Sequence, residues 1–168
     1  MMVPAAAPTR LSKDHPQAVS YMSLMTTKPL ADRVQAGDEF SATHVFDSTA
    51  IADFAERTGD RNPFHFDSRA GKSSRFGKRI ASAQHIVSLM LGLSATWLAD
   101  RGTSFGLGCS LRFTAAVLEG DEVHLRWTVT HTLYKESLKG MIVVLEGTAE
   151  KTGGLVCARG RLEMLLQE

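Results

Sequence analysis

The sequence predicts an α+β domain in which a curved antiparallel sheet wraps around one mostly apolar central helix. Three observations predict it. Residues 84–100, "QHIVSLMLGLSATWLAD", are apolar on nearly every helical face but too few to span a membrane. After them the chain alternates apolar and polar residues in a run of strand-like stretches. Short turn signals, "LEGD", "KESLKG" and "KTGG", separate those stretches. A helix apolar all round needs covering, and the strands supply the cover.

Taken in order, residues 1–30 are rich in Ala, Pro, Ser and Thr without clear periodicity and read as a loosely ordered N-terminal arm, with the domain at 31–168. The arm lacks a basic stretch followed by an apolar one, so it is not read as a signal peptide. "EFSATHVF" places Phe40, Ala42, His44 and Phe46 on one side of a strand. "DSTAIADFAERTG" reads as a short helix with Asp47 or Ser48 as N-cap and Gly59 as its stop. The central helix follows. Next, Phe105, Leu107, Cys109, Leu111, Phe113 and Ala115 fall on one side of a strand. Val123, Leu125, Trp127, Val129, His131 and Leu133 fall on one side of another. "GMIVVLEGTAE" and "LVCARGRLEMLL" complete four strands expected to form an antiparallel meander, joined by the strand before Asp47.

Composition narrows the function classes. At 168 residues, 43% hydrophobic and 22% charged, the chain suits one ordinary globular domain. Nineteen basic residues against eighteen acidic ones leave +1, so the broad basic face needed for nucleic acid is absent. Cys109 and Cys157 form neither a disulfide framework nor a close-spaced metal or redox motif, which points to a reducing, cytoplasmic setting. No membrane partner is expected.

One loop stands out. "RTGDRNPFHFD", residues 57–67, gathers Asp60, Asn62, Pro63, His65 and Asp67. On residue types alone it is an ordinary Asx-rich turn or a proton-transfer site. Gly59 permits the tight exit from the helix, Pro63 fixes its own φ, and Asn62 is placed to bond the loop backbone. Asp60 and His65 can then meet around one water.

The run Thr58, Gly59, Asp60, Asn62, Pro63, Phe64, His65, Asp67 resembles the signature of the MaoC-like, R-specific enoyl-CoA hydratases, a group of hot-dog folds. "RFGKRIASAQHIVSLMLGL" resembles that family's Phe-Gly segment leading into its central helix, and "EGDEV" its turn before a strand. The resemblance covers about residues 33–166. It implies a single hot-dog domain, pairing as a homodimer, with Asp60 and His65 as the catalytic pair. The implied reaction is reversible syn hydration of a trans-2-enoyl-CoA to the (R)-3-hydroxyacyl-CoA. No metal and no cofactor is implied beyond the coenzyme A of the substrate. Chemically, such a reaction needs a base for water, an acid for C2 and donors for the enolate-like thioester oxygen.

The sequence also departs from the family. A histidine–glycine pair usually enters the central helix, and the glycine N–H donates to the thioester oxygen; here Ser82 and Ala83 stand there. A helix N-terminus still presents free N–H groups, so Ala83 is the expected donor, with Ser82 as N-cap. Gln84 and His85 are pocket candidates, His85 weighted toward helix-start structure. Ser88 either faces the acyl tunnel, as the resemblance implies, or bonds the preceding turn. Arg69, Lys72, Arg75, Lys78 and Arg79 crowd one segment. Of these, Arg75, Lys78 and Arg79 are candidate contacts for coenzyme A phosphates, against the ordinary reading of a solvated face. His44, His124 and His131 read as structural. Two other readings stay open: an acyl-CoA thioesterase, and a non-catalytic acyl-CoA-binding protein that the Ser82–Ala83 change would favour.

Overall fold

The computed structural model describes residues 28–168, so the expected arm lies, up to residue 27, outside the described residues. The elements run α1 (Leu30–Arg33), β1 (Glu39–Val45), α2 (Ser48–Thr58), α3 (Pro63–Phe66), α4 (Ser68–Ser73) and α5 (Ala83–Ala99). After these come β2 (Thr103–Phe113), β3 (Glu122–Lys135), β4 (Gly140–Lys151) and β5 (Val156–Gln167). Five antiparallel strands form one sheet in the order β1-β3-β4-β5-β2. Central-helix residues Ile86, Met90 and Leu98 are buried with Val123, Leu125, Trp127 and Val129 of β3, Val143 and Leu145 of β4, and Leu162 of β5. The indole N–H of Trp127 donates to the Met90 carbonyl at 2.9 Å, tying helix to sheet. Gly147 makes room for that ring, since a Cβ there would overlap it.

The sheet corrects the expected four-strand meander. Only β3, β4 and β5 follow one another; β2 pairs with β5, and β1 takes the free edge of β3. The reason lies in residues 114–121, which run across the end of the sheet rather than turning back as a hairpin. Leu118 bridges Ile80, and the Val117 carbonyl accepts from the Ala81 N–H at 2.8 Å.

Two β-bulges correct the side-chain faces. In β2 the register against β5 slips between Gly106 and Gly108, leaving Leu107 as the extra residue. Cys109, Leu111 and Phe113 therefore face the helix side with Leu162 and its row, whereas Phe105 lies opposite Leu165 on the outer face. In β3 the slip falls between Val129 and His131. His131 and Leu133, expected beside Trp127, point outward instead, and Leu133 is 54% exposed. Leu133, Ile142, Leu165 and Phe105 thus form one cross-strand row on the outer face.

The sheet covers the central helix on one side only. His85, Ile86, Met90, Ser94 and Leu98 are buried, while Gln84, Ser88, Gly92, Ala95 and Ala99 make an exposed stripe of mostly small residues. This is less enclosure than an all-apolar helix predicts. No helix among the described residues is long and apolar enough to cross a membrane.

Candidate active site

Local signals set up the loop after α2. Asp47, not Ser48, is the N-cap: its carboxylate accepts from the N–H groups of Thr49 and Ala50, both at 2.8 Å. At the other end Gly59 adopts the left-handed conformation, φ 72°, and the Asp60 N–H closes back on the Ala55 carbonyl at 2.9 Å. The helix therefore ends sharply with Asp60 at its exit. Asn62 then caps α3, its side chain accepting from the Phe64 N–H at 3.1 Å, with Pro63 in the first helical turn. Asn62 is thus used for the loop backbone, the local role its residue type suggests.

One turn of α3 brings His65 back to Asp60. His65 Nε2 stands 3.2 Å from Asp60 Oδ2, and the other carboxylate oxygen accepts from the Asn62 N–H at 3.1 Å. On the far side of the ring, Nδ1 lies 2.8 Å from the carbonyl of Ile80. A carbonyl only accepts, so Nδ1 carries hydrogen and Nε2 is the atom turned to the carboxylate. A hydrogen bond across that 3.2 Å gap needs a proton on one of the two atoms, Nε2 or Oδ2. His65 is 3% exposed, while the Asp60 side chain keeps 22% exposure and borders a cleft of about 370 Å³ with Ala55, Glu56, Gly59, Arg61 and Phe66. The pair is therefore rigid on the histidine side and reachable on the aspartate side.

The strap formed by residues 80–82 links this pair to α5. Ile80 donates its N–H to the Phe64 carbonyl at 3.1 Å and accepts from His65, while Ala81 bonds Val117. Ser82 follows as the N-cap of α5, buried, with its hydroxyl accepting from the His85 N–H at 3.3 Å. Ala83 is the first helical residue and is exposed. No hydrogen bond among the described residues takes up the N–H groups of Ala83 and Gln84, as the geometry of a helix start dictates. Ser88 stands exposed one turn beyond Gln84; it is Ser94 that bonds back to the preceding turn, donating to Leu91 at 2.7 Å.

The basic segment divides. Arg79 makes a two-pronged ion pair with Glu119, at 2.9 and 3.1 Å. Lys78 reaches the Glu119 carbonyl at 3.4 Å, and Arg75 lies over the Phe76 ring. Among the described residues neither Arg75 nor Lys78 meets a carboxylate.

Residue-by-residue reading of the sequence missed one cluster. His85, at the third position of α5, stacks face to face on Phe54 with ring centres 4.4 Å apart, and meets Phe46 edge-on at 4.9 Å. His44 of β1 lies 5.7 Å away. Burial and the neighbouring His44 lower the His85 pKa to about 4, so its ring is neutral near pH 7. Each taken alone looks structural, and their meeting is written in no local pattern.

Known proteins place these features in context. A family model described as "MaoC like domain" matches residues 28–153. The R-hydratase PhaJ1 from Pseudomonas aeruginosa aligns with a TM-score of 0.74 and 28% identity over 83% of this chain and 86% of that one. The (R)-hydratase from A. caviae involved in PHA biosynthesis aligns with a TM-score of 0.73 and 29% identity, covering 81% and 99%. A 3-hydroxybutyryl-CoA dehydratase from Methylorubrum extorquens is 33% identical over 86 residues, 51% of this chain. That alignment spans 54% of the relative's own length, about half. The topology described above is the hot-dog fold.

Proposed function

The chain belongs to the MaoC-like domain family, and from that premise we propose that it is a hydro-lyase acting on the double bond of an enoyl-CoA. More narrowly, it adds water reversibly to a trans-2-enoyl-CoA and yields the (R)-3-hydroxyacyl-CoA. One observation carries this reading: the 3.2 Å contact between His65 Nε2 and Asp60 Oδ2, in a pair whose outer atoms are already anchored by Ile80 and Asn62.

Hydration moves two protons. One leaves water as its oxygen bonds C3, and one reaches C2 as the enolate-like intermediate collapses. A pair that shares one proton does both jobs as a unit: it accepts the proton of water and delivers its own to C2. Because both groups sit on one loop, the two transfers occur on one face of the alkene, which makes the addition syn. Negative charge builds on the thioester oxygen during the step. The free N–H of Ala83, at the positive end of a 17-residue helix, is the donor aimed at such charge. Ser82 supports it as N-cap, and Gln84 and Ser88 extend the same exposed stripe toward the acyl chain. Arg75 and Lys78 are the cations free to meet coenzyme A phosphates, Arg79 being engaged by Glu119. The reaction as written asks for no cofactor beyond coenzyme A itself.

A homodimer belongs to the same proposal. Edge strand β2 leaves Leu107 48% and Phe113 43% exposed, and the neighbouring α5 has its own uncovered stripe. A second copy covering both would complete the burial that the apolar helix calls for. A reducing cytoplasm suits the two free cysteines.

The test is loss of the enoyl thioester's ultraviolet absorbance on mixing purified protein with crotonyl-CoA and longer enoyl-CoAs. Hydration to the R product, abolished in Asp60→Asn and His65→Gln, supports the reading. Binding of acyl-CoA without turnover at any chain length would favour a binding protein, in which the Ser82–Ala83 change has removed the oxyanion site.

A further inference from the structure

His65 is oriented from behind. Its Nδ1 donates to the Ile80 carbonyl at 2.8 Å, and the partner of that nitrogen fixes which tautomer the ring adopts and which atom it turns to Asp60. That carbonyl must itself be held, and it sits in the stretch between α4 and α5 rather than in a helix. Two neighbours grip the stretch. On one side is α4, where Gly71 is buried and a Cβ would stand 2.6 Å from the Arg79 nitrogen, so backbone packs directly on backbone. On the other is the 114–121 segment. Leu118 bridges Ile80, the Glu119 N–H donates to the Arg79 carbonyl at 2.9 Å, and the Lys78 ammonium lies 3.4 Å from the Glu119 carbonyl.

A side-chain clasp closes this arrangement. Arg79 Nε and Nη2 donate to the two carboxylate oxygens of Glu119 at 2.9 and 3.1 Å, and Nη1 lies 3.5 Å from the Phe66 carbonyl. Residues 79 and 80 thereby contact three successive loop residues. The Ile80 N–H meets the Phe64 carbonyl, the Ile80 carbonyl meets the His65 ring, and Arg79 faces Phe66. A forked guanidinium–carboxylate pair fixes angle as well as distance, which the single ammonium of a lysine does not. We propose that Arg79 and Glu119 are positioning residues that hold the Ile80 carbonyl on His65 Nδ1 and so set the tautomer and aim of Nε2, an inference that rests on the hydratase function proposed above. Neither side chain bonds Asp60 or His65. Their effect passes through the Ile80 carbonyl, and losing the clasp frees the ring to carry its hydrogen on either nitrogen.

Two readouts test this. Nitrogen-15 NMR of histidine-labelled protein at neutral pH, with the His65 signal assigned by its loss in His65→Gln, should show Nδ1 bearing a hydrogen protected from water. In Arg79→Gln and Glu119→Gln that hydrogen should exchange at least about tenfold faster, with the Nδ1 signal moved toward the unprotonated position. The same variants should lower kcat for crotonyl-CoA hydration by roughly tenfold to a hundredfold with KM within about twofold, because misplacement acts on the chemical step. Arg79→Lys keeps the charge but loses the fork, and should resemble Arg79→Gln. Where melting curves show either glutamine variant unfolded, Arg79→Lys decides in the same way. A His65 signal and exchange rate unchanged in the folded variants overturn the proposal. So does a raised KM with kcat intact, the result expected if Arg79 meets coenzyme A instead. So too does full rescue by lysine, which would show that charge alone is needed. Failure of the wild-type protein to hydrate any enoyl-CoA removes the hydratase reading, and the ring signal, which needs no substrate, then decides the clasp by itself.

Discussion

His65 and His85 are both buried histidines near the start of a helix, and their surroundings could hardly differ more. His65 has a hydrogen-bond partner at each ring nitrogen, a carbonyl on one side and a carboxylate on the other. His85 is packed between aromatic rings with Nδ1 unmatched. One ring is held with Nε2 turned to a carboxylate oxygen 3.2 Å away. The other is kept neutral by desolvation. Burial alone therefore says nothing about the role of a histidine; the partners of its two nitrogens decide.

The largest expected effect tests the first half of that contrast. Asp60→Asn or His65→Gln removes one end of the shared proton and should lower kcat/KM for enoyl-CoA hydration by ~10³-fold or more, within the usual worth of general acid–base groups acting as a unit. A loss below tenfold, measured by the absorbance assay, would mean the pair only shapes the loop.

Next comes pH. The His85 pKa falls from an ordinary 6.5 to about 4 on folding, chiefly through burial and then through His44. The unfolded chain therefore binds a proton between those values that the folded chain refuses. Stability is full above pH 6.5 and falls as pH drops toward 4, by about 3 kcal/mol from this group. Chemical denaturation at pH 7 and pH 4.5 checks the drop, and the slope should flatten in His85→Phe.

At pH 7 the two histidines should part again. His65→Phe leaves the Ile80 carbonyl and Asp60 Oδ2 without the ring that faced them and should cost about 2 kcal/mol. His85→Phe exchanges an unmatched polar ring for an apolar one among aromatics and should be neutral or stabilise by up to ~1 kcal/mol. Equal losses for both variants in the same melts would break the comparison.

The smallest effect concerns the helix start. Ala83→Gly removes the methyl group at the proposed oxyanion donor, and should raise kcat/KM by about two- to threefold while costing less than ~1 kcal/mol of stability. A lower kcat/KM in a folded variant would place the donor elsewhere.

What could be read from the sequence follows the range of the forces involved. Asp47, Gly59, Asn62 and Ser82 act on backbone groups within a few residues, and their caps and turn occur where residue type predicts. The meeting of Asp60 and His65 is also local, closed by one short helix. Strand faces failed before Leu107 in β2 and beyond Thr130 in β3, because one extra residue inverts the side chains on its two sides relative to each other while the letters keep alternating. The pairing of β2 with β5 escaped because nothing within residues 114–121 says that they cross the sheet end. Arg79 looked available because its partner, Glu119, is 40 residues away. His44 and His85 are 41 positions apart and meet only once β1, α2 and α5 have packed.

The strap at residues 80–82 has a consequence for how this enzyme could be watched. The Ile80 amide is bonded to Phe64, one residue from the proposed catalytic histidine, and the Ala81 amide to Val117 on the far side. Hydrogen exchange at these two amides reports separately on the two seams that hold the loop in place. Slow exchange at both marks a site assembled from end to end. Fast exchange at Ile80 alone would reveal the His65 loop lifting while the strap stays on the sheet, a partial opening invisible to any probe of global unfolding.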